Sequence, residues 1–259
     1  MNSFNLGIFL NIFSNDKAEL QPKINFIKSI SGLGHIEIWS ETNLSQDTID
    51  WLKKELSIYQ IIYHGPFTAL SLTSSHDLIN QASIEVFKKY ITQAIKMGAK
   101  LMTVHTGKYP HYFEYQKAIN TFIENFSKLL LHADNQIQLV TENMTYGHGA
   151  QIDFPSLKDL NYISNIKSDI NFTIDIGHCI RSNEDYYSFI KQNRVKIKNI
   201  HLHNASYQNQ KDHFGLQLPG DLNTKKFINF LNEINYQGFL TIEVLTEEDK
   251  TESVKMVNS

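Results

Sequence analysis

The segment NFTIDIGH, residues 171–178, decides the fold, because it is an apolar run that carries an acid, Asp175, where a buried strand would end. Five other runs place a metal-capable side chain at a similar point: IIYHG (61–65), LMTVHTG (101–107), IQLVTEN (137–143), IKNIHLH (197–203) and FLTIEV (239–244). In chain order, the six candidates are His64, His105, Glu142, Asp175, His201 and Glu243. Successive candidates are 41, 37, 33, 26 and 42 residues apart, which leaves room for one strand, one helix and two loops. Each candidate therefore belongs to a separate βα unit.

Predicted strands and helices alternate along the whole chain. Runs rich in Ile, Val, Leu, Phe and Thr predict strands near 5–11, 35–39, 60–64, 101–105, 137–142, 170–175, 197–202 and 238–244. Apolar residues at helical spacing predict helices over 78–98 and 112–133, and shorter ones near 45–57, 154–164, 183–194 and 224–235. This order predicts an α/β fold, a closed (β/α)8 TIM barrel, with an open doubly wound sheet as the alternative. A barrel gathers the candidates at one rim, which an open sheet does not easily do.

Length and composition are compatible with one barrel. The chain has 259 residues and no Pro/Gly-rich linker, so we expect a single domain over 1–259. A net charge of −3 gives no broad field that would attract a polyanion, which disfavours a nucleic-acid partner. Cys179 is the only cysteine, and the start of the chain lacks the features of a signal peptide. We therefore expect a cytoplasmic protein without a membrane segment.

Four of the candidates form a set of ligands for a divalent cation. Carboxylates and an imidazole, from Glu142, Asp175, His201 and Glu243, suit Mn²⁺, Mg²⁺, Co²⁺ or Zn²⁺. Three carboxylates in one barrel mouth would repel each other, and a bound cation is the simplest way to keep all of them ionised. His203 is an alternative to His201, because residues two apart on a strand point to the same side. Four other histidines lie away from this rim, and we expect them at the surface: His35, His76, His111 and His132.

Short motifs in a fixed order resemble those of the xylose isomerase-like barrels. The motifs are IEIW (36–39), YHGPF (63–67), VHTG (104–107), TENMTYG (141–147), IDIGH (174–178), HLHNAS (201–206) and TIEV (241–244). They are similar to the sugar phosphate isomerase/epimerase group and to its relative, the endonuclease IV type of abasic-site nuclease. The resemblance covers nearly the whole chain, so both activities have to be considered.

For the isomerase group, the resemblance implies one divalent metal held by Glu142, Asp175, His201 and Glu243. It implies that Glu142 and Glu243 also form the acid/base pair, working on either side of a metal-stabilised cis-enediolate of a sugar or sugar phosphate. Substrate contacts are expected from His64, His105, His178, His203 and His213. The sequence leaves open the identity of the sugar, the metal and the formation of a homo-oligomer.

For the nuclease, the resemblance implies up to three zinc ions, with His64 and His105 among the ligands. It requires an Asp-x-His after the seventh strand, but here Asp212 and His213 are adjacent and Lys211 occupies the place of the aspartate. A third metal is therefore not expected, and we predict a metal-dependent isomerase or epimerase. A zinc phosphoesterase acting on abasic DNA and a non-catalytic barrel that binds a small ligand are the alternatives.

Overall fold

A computed structural model describes residues 3–110, 115–145 and 151–259 of the chain. The strands in these ranges are β1 Asn5–Asn11, β2 His35–Trp39, β3 Gln60–His64, β4 Leu101–Val104, β5 Lys108–Pro110, β6 Gln138–Glu142, β7 Gln151–Asp153, β8 Asn171–Asp175, β9 Ile197–Leu202, β10 Asn204–Ser206, β11 Lys211–Phe214 and β12 Phe239–Ile242. Eight of them form a closed barrel in the order β1-β12-β9-β8-β6-β4-β3-β2. All neighbouring pairs in the barrel are parallel. The predicted TIM barrel is confirmed.

Helices connect the barrel strands and form the outer layer. In the described parts of the chain they are α1 Lys17–Ser29, α2 Gln46–Glu55, α3 Asp77–Met97, α4 Tyr115–Ala133, α5 Leu157–Ile166, α6 Ile176–Arg181, α7 Tyr186–Asn193, α8 Thr224–Glu233 and α9 Glu247–Asn258. The predicted helix over 112–133 agrees with α4 from residue 115 onward, while 112–114 lie outside the described residues. Helices α1, α6 and α9 were not predicted. Within these ranges, no helix is both long and apolar enough to cross a membrane.

The barrel strands are buried on both faces, because one face meets the helices and the other fills the barrel. Inward-facing positions alternate with outward-facing ones, as in any strand. Ile62 and Val140 lie two residues before His64 and Glu142, and they form a small apolar cluster with Leu101. Below the rim, the interior is filled by this apolar cluster together with buried, hydrogen-bonded polar side chains such as Thr103 and Thr173.

Two antiparallel pairs of short strands lie beyond the carboxyl ends of the barrel strands. Strand β5 pairs with β7, and β10 pairs with β11. Neither pair was predicted, because three or four residues are too short to show a period of two. The β10–β11 pair carries His213, one of the histidines expected to contact substrate, over the barrel mouth.

Candidate metal centre

The four predicted metal ligands lie together at the carboxyl rim of the barrel. Glu142 ends β6, Asp175 ends β8, His201 is one residue from the end of β9, and Glu243 follows β12. Asp175 lies opposite His201 in the β8–β9 register. Each of the four offers a ligand atom, and these atoms all lie within 4.8 Å of one another. Since all four are nearly or fully buried, the cluster forms the floor of the barrel mouth.

His201 lies at the centre of this cluster. Its Nδ1 is 3.1 Å from Oε1 of Glu142 and 2.9 Å from Oε2 of Glu243. Its Nε2 faces the opposite way and is 3.1 Å from both carboxylate oxygens of Glu37 on β2. Burial alone would lower the pKa of His201, but the carboxylates of Glu243, Glu37 and Glu142 raise it well above its usual value. The carboxylates around Nδ1 therefore stabilise a positive charge at this position.

The pKa values of the three carboxyl groups in the cluster are lowered. Burial alone would raise the pKa of Glu142, but His201 and His105 hold it well below its usual value. For Glu243, burial acts the same way, and His201 again lowers the pKa. Asp175 also has a lowered pKa, because His178 and His203 outweigh its burial. All three carboxyl groups are therefore ionised at neutral pH, as metal ligation requires.

One carboxylate oxygen in the cluster lacks a hydrogen bond. Oε2 of Glu243 is buried and has no hydrogen-bond partner among the described residues. It is close to Nδ1 of His201, but that nitrogen makes its hydrogen bond to Oε1 of Glu142 instead. The contact with His201 is an ion pair of 2.9 Å without hydrogen-bond alignment, so Oε2 keeps acceptor capacity that coordination of a cation would use. The donor set therefore fits a divalent metal.

Hydrogen bonding distinguishes His201 from His203. Nδ1 of His203 accepts a hydrogen bond of 2.9 Å from the backbone N–H of His213. That nitrogen therefore carries no proton, and Nε2 donates to Oδ2 of Asp175 at 2.9 Å. A metal bound at Nε2 would require the ring proton to move to Nδ1, where the N–H of His213 already points. This arrangement favours His201 as the ligand, whereas substrate contact by the fully buried His203 stays a prediction.

Asp175 has a structural role as well as a place in the cluster. Its Oδ1 accepts a hydrogen bond of 2.7 Å from the backbone N–H of His178 and so caps the start of α6. Its backbone N–H donates to the side-chain oxygen of Asn143. The cap occupies Oδ1, while Oδ2 accepts from Nε2 of His203. A metal would thus bind Asp175 through one oxygen.

His64 and His105 both approach the second oxygen of Glu142. Nε2 of His105 donates to Oε2 of Glu142 at 2.9 Å, and burial lowers the pKa of His105. Nε2 of His64 is 3.7 Å from the same oxygen, and its Nδ1 donates to the carbonyl of Gly65. Burial alone would lower the pKa of His64, but the hydrogen-bonding interaction with Glu142 raises it. The three side chains form a second group whose ligand atoms lie within 4.8 Å of one another.

His178 and His213 lie on the other side of the mouth. Nδ1 of His178 donates to the carbonyl of Asn143 at 2.9 Å. His213 stacks on His203 with ring centroids 4.1 Å apart, and its Nδ1 is 3.0 Å from Oδ1 of Asp212. Among the described residues, His178 belongs to none of the metal-capable groups. The arrangement provides hydrogen-bonding groups around the cluster.

The sequence-based prediction of the site did not include Glu37, and its placement of His35 was wrong. His35 was expected at the surface, but it is fully buried in the barrel and its Nε2 lies 2.9 Å from Oγ1 of Thr241. It begins β2 two residues before Glu37, so its ring points to the same inward side of the strand. His76 and His132 are exposed as expected, and His111 lies outside the described residues. The signal for Glu37 was present, since an acid in the otherwise apolar IEIW run is unusual for a buried strand.

Aromatic rings line one side of the mouth. Trp39 and Phe67 stack at a centroid distance of 5.2 Å, and Phe67 also stacks on His105 at 5.0 Å. Phe67 is 38% exposed, so this wall faces the opening. A cavity of about 530 Å³ begins at Phe67 and His105 and continues past Lys108 and Met144. Its size suits a small organic molecule.

Comparison with known proteins shows the family to which the chain belongs. A family model described as xylose isomerase-like TIM barrel matches residues 24–258. The chain belongs to this family. Among the motifs that the xylose isomerase-like barrels share with this chain, the last two residues of TENMTYG, 146–147, lie outside the described residues.

Several known proteins are similar to this chain. An uncharacterised protein of Methanocaldococcus jannaschii is 26% identical over 233 residues, which cover 89% of this chain and 88% of that protein. A crystal structure of a D-tagatose 3-epimerase-like protein has a TM-score of 0.83 at 20% identity, covering 98% of this chain and 96% of its own. The D-allulose 3-epimerase from Methylomonas sp. has a TM-score of 0.79 at 13% identity, covering 100% and 98%. At these identities, the structural likeness establishes the fold.

Proposed function

We propose that this protein is a divalent-metal-dependent isomerase or epimerase acting on a sugar or sugar phosphate. The observation that carries the proposal is the cluster of Glu142, Asp175, His201 and Glu243, with one oxygen of Glu243 left without a hydrogen bond. The names of the similar structures, a D-tagatose 3-epimerase-like protein and a D-allulose 3-epimerase, support the same reaction class. When bound, a divalent ion would act as a Lewis acid on the sugar carbonyl and lower the pKa of the neighbouring C–H.

Two glutamates are placed to transfer the proton. Glu142 on β6 and Glu243 after β12 are separated in the barrel by β8 and β9, so they approach the mouth from different sides. Both are ionised, which a general base requires. One glutamate would remove the proton next to the carbonyl, and the other would return a proton to the opposite face. The carbon would thereby be inverted.

The surrounding side chains would bind and orient the sugar. His178 is fixed by its hydrogen bond to the carbonyl of Asn143, and His213 is held by Asp212, which in turn forms an ion pair with Arg181. His64 and His105 face the cluster from the opposite side. The ring faces of Trp39 and Phe67 suit the apolar C–H face of a sugar. These groups would also exclude water from the proton-transfer step.

Solvent-deuterium incorporation tests this proposal. The protein with Mn²⁺ would be incubated in D2O with a panel of ketoses and aldoses, phosphorylated and not, and followed by NMR. The expected result is a new epimer or isomer that carries deuterium at the carbon next to the carbonyl. Products without deuterium would contradict the proton-transfer mechanism. Binding of a sugar without any turnover or exchange would favour a non-catalytic barrel.

A zinc phosphoesterase acting on abasic DNA is the second candidate. It is favoured by the second metal-capable group, His64, His105 and Glu142, which shares Glu142 with the first. Two metals joined by a shared carboxylate are a known arrangement for attack on phosphorus. The candidate predicts Zn²⁺-dependent cleavage of an abasic duplex, with more than one metal per chain. Without such cleavage at saturating Zn²⁺, this candidate fails.

A further inference from the structure

Glu37 is a fully buried carboxylate at the base of the metal cluster. It accepts hydrogen bonds from Oγ1 of Thr241 at 2.7 Å, from Nδ2 of Asn199 at 2.9 Å and from Nε2 of His201 at 3.1 Å. None of the predicted roles uses it. A buried charge is costly unless donors surround it, and here three side chains supply them.

The contacts of Glu37 are those of a hydrogen-bond acceptor. Its Oε2 accepts from Nδ2 of Asn199, an amide N–H that can only donate, and from the hydroxyl of Thr241. Nε2 of His201 is 3.1 Å from both carboxylate oxygens, so it donates its N–H to this pair of oxygens. Nδ1 is then the nitrogen that faces Glu142 and Glu243.

We propose that Glu37 is the positioning residue of the metal centre, fixing His201 as the tautomer that presents Nδ1 to the metal. The inference rests on the metal centre proposed above. In metal sites, a histidine ligand commonly donates its other N–H to a carboxylate, which fixes the ring orientation and raises its basicity. Asn199 and Thr241 also hold Glu37 in place by donating hydrogen bonds to it. Asn199 lies on β9, the strand of His201, and Thr241 lies on β12, directly before Glu243. Glu37 touches no substrate and acts through His201.

The first test compares metal affinity in matched variants. Mn²⁺ alone would be titrated into wild type, Glu37→Gln and Glu41→Gln by calorimetry. Glu37→Gln keeps the side-chain shape but removes the charge, so its Kd is expected to rise by about 10- to 100-fold. Glu41 lies two residues after the end of β2 and accepts hydrogen bonds from Trp39 and from the backbone of Phe67, so Glu41→Gln is expected to bind Mn²⁺ nearly as wild type does. Unchanged affinity in Glu37→Gln would overturn the proposal.

The second test reads the tautomer directly. Long-range ¹H–¹⁵N NMR of the histidine rings in Zn²⁺-loaded wild type is expected to show His201 protonated at Nε2 and ligated at Nδ1. The opposite assignment would overturn the proposal even if the affinities change. Should Glu37→Gln fail to fold, Thr241→Val removes one donor and leaves the carboxylate, and a smaller rise in Kd is expected. If wild type binds neither Mn²⁺ nor Zn²⁺, the metal centre itself fails, which is distinct from failure of the role of Glu37.

Discussion

Replacing Gly177 with alanine should displace His203 and loosen the ligand Asp175. Gly177 lies in the first turn of α6, against the ring of His203. A Cβ at this position would be 1.9 Å from Cε1 and 2.4 Å from Nδ1 of that ring. Carbon atoms in contact are about 3.5 Å apart, so the ring must move by roughly 1.5 Å. Both hydrogen bonds of the ring, to Asp175 and from the backbone of His213, would then exceed bonding distance.

The size of the effect follows from these two bonds. A hydrogen bond to a charged group contributes about 1.5–3 kcal/mol and a neutral one about 0.5–1.5 kcal/mol. Alanine in a helix gains back about 1 kcal/mol relative to glycine. The expected net loss is therefore about 1–4 kcal/mol in the free energy of unfolding. For a chain of this length, that corresponds to a fall of roughly 3–12 °C in Tm by calorimetry.

A double-mutant cycle provides the control. His203→Ala removes the ring and opens the space next to Gly177. In that background, Gly177→Ala should be neutral or slightly stabilising, because only its helix propensity remains. Equal destabilisation in both backgrounds would refute the reasoning, since the loss would then have a cause other than the ring of His203.

Three further predictions concern the site and its surroundings. Glu142→Gln and Glu243→Gln should each abolish turnover while circular dichroism stays unchanged, because each removes a ligand charge and a proton-transfer group; substantial turnover in either would contradict the assignment. A chelator should lower the Tm of the metal-loaded protein by about 10 °C, since a ligand at about 1,000 times its Kd stabilises the native state by about 4 kcal/mol; an unchanged melting curve would speak against a metal. Burial raises the pKa of Glu184 to about 7, and its Oε2 has no hydrogen-bond partner among the described residues. The folded state therefore holds this proton at a pH where the unfolded state has lost it, and wild type should lose roughly 3 kcal/mol of stability between pH 4.5 and 7 through this group. Glu184→Gln should remove that loss, whereas Glu248→Gln, at the surface, should not; urea unfolding across this pH range would decide, and parallel curves for wild type and Glu184→Gln would contradict the prediction.

The barrel could be predicted from sequence because burial on both faces imposes a strong pattern. Four barrel strands have the predicted bounds, including 60–64 and 197–202. The missed elements have weak patterns. Helix α1 contains Pro22, a residue that usually ends helices, and α9 is rich in charged residues. Helix α6 begins directly after β8, so the sequence has no loop residues that would separate the helix from the strand.

The clustering of the candidate ligands could also be anticipated, because parallel strands of a barrel end at one rim. The hydrogen-bond network that distinguishes one candidate ligand from another could not be anticipated from the sequence. The choice between His201 and His203 depends on the backbone N–H of His213, which has a positive φ of 58°. Residues other than glycine rarely adopt a left-handed backbone conformation, and the sequence seldom indicates where one occurs. That residues 1–259 form a single domain, and that the protein is cytoplasmic, stay predictions.

Counting bound metal tests the central claim most directly. The claim is one divalent ion held by Glu142, Asp175, His201 and Glu243, with His64 and His105 left for the substrate. Native mass spectrometry or elemental analysis should find one equivalent per chain in wild type. The double variant His64→Asn, His105→Asn should keep that equivalent and instead raise the KM for the sugar. Loss of about one full equivalent in the double variant would contradict the account and favour a two-metal phosphoesterase.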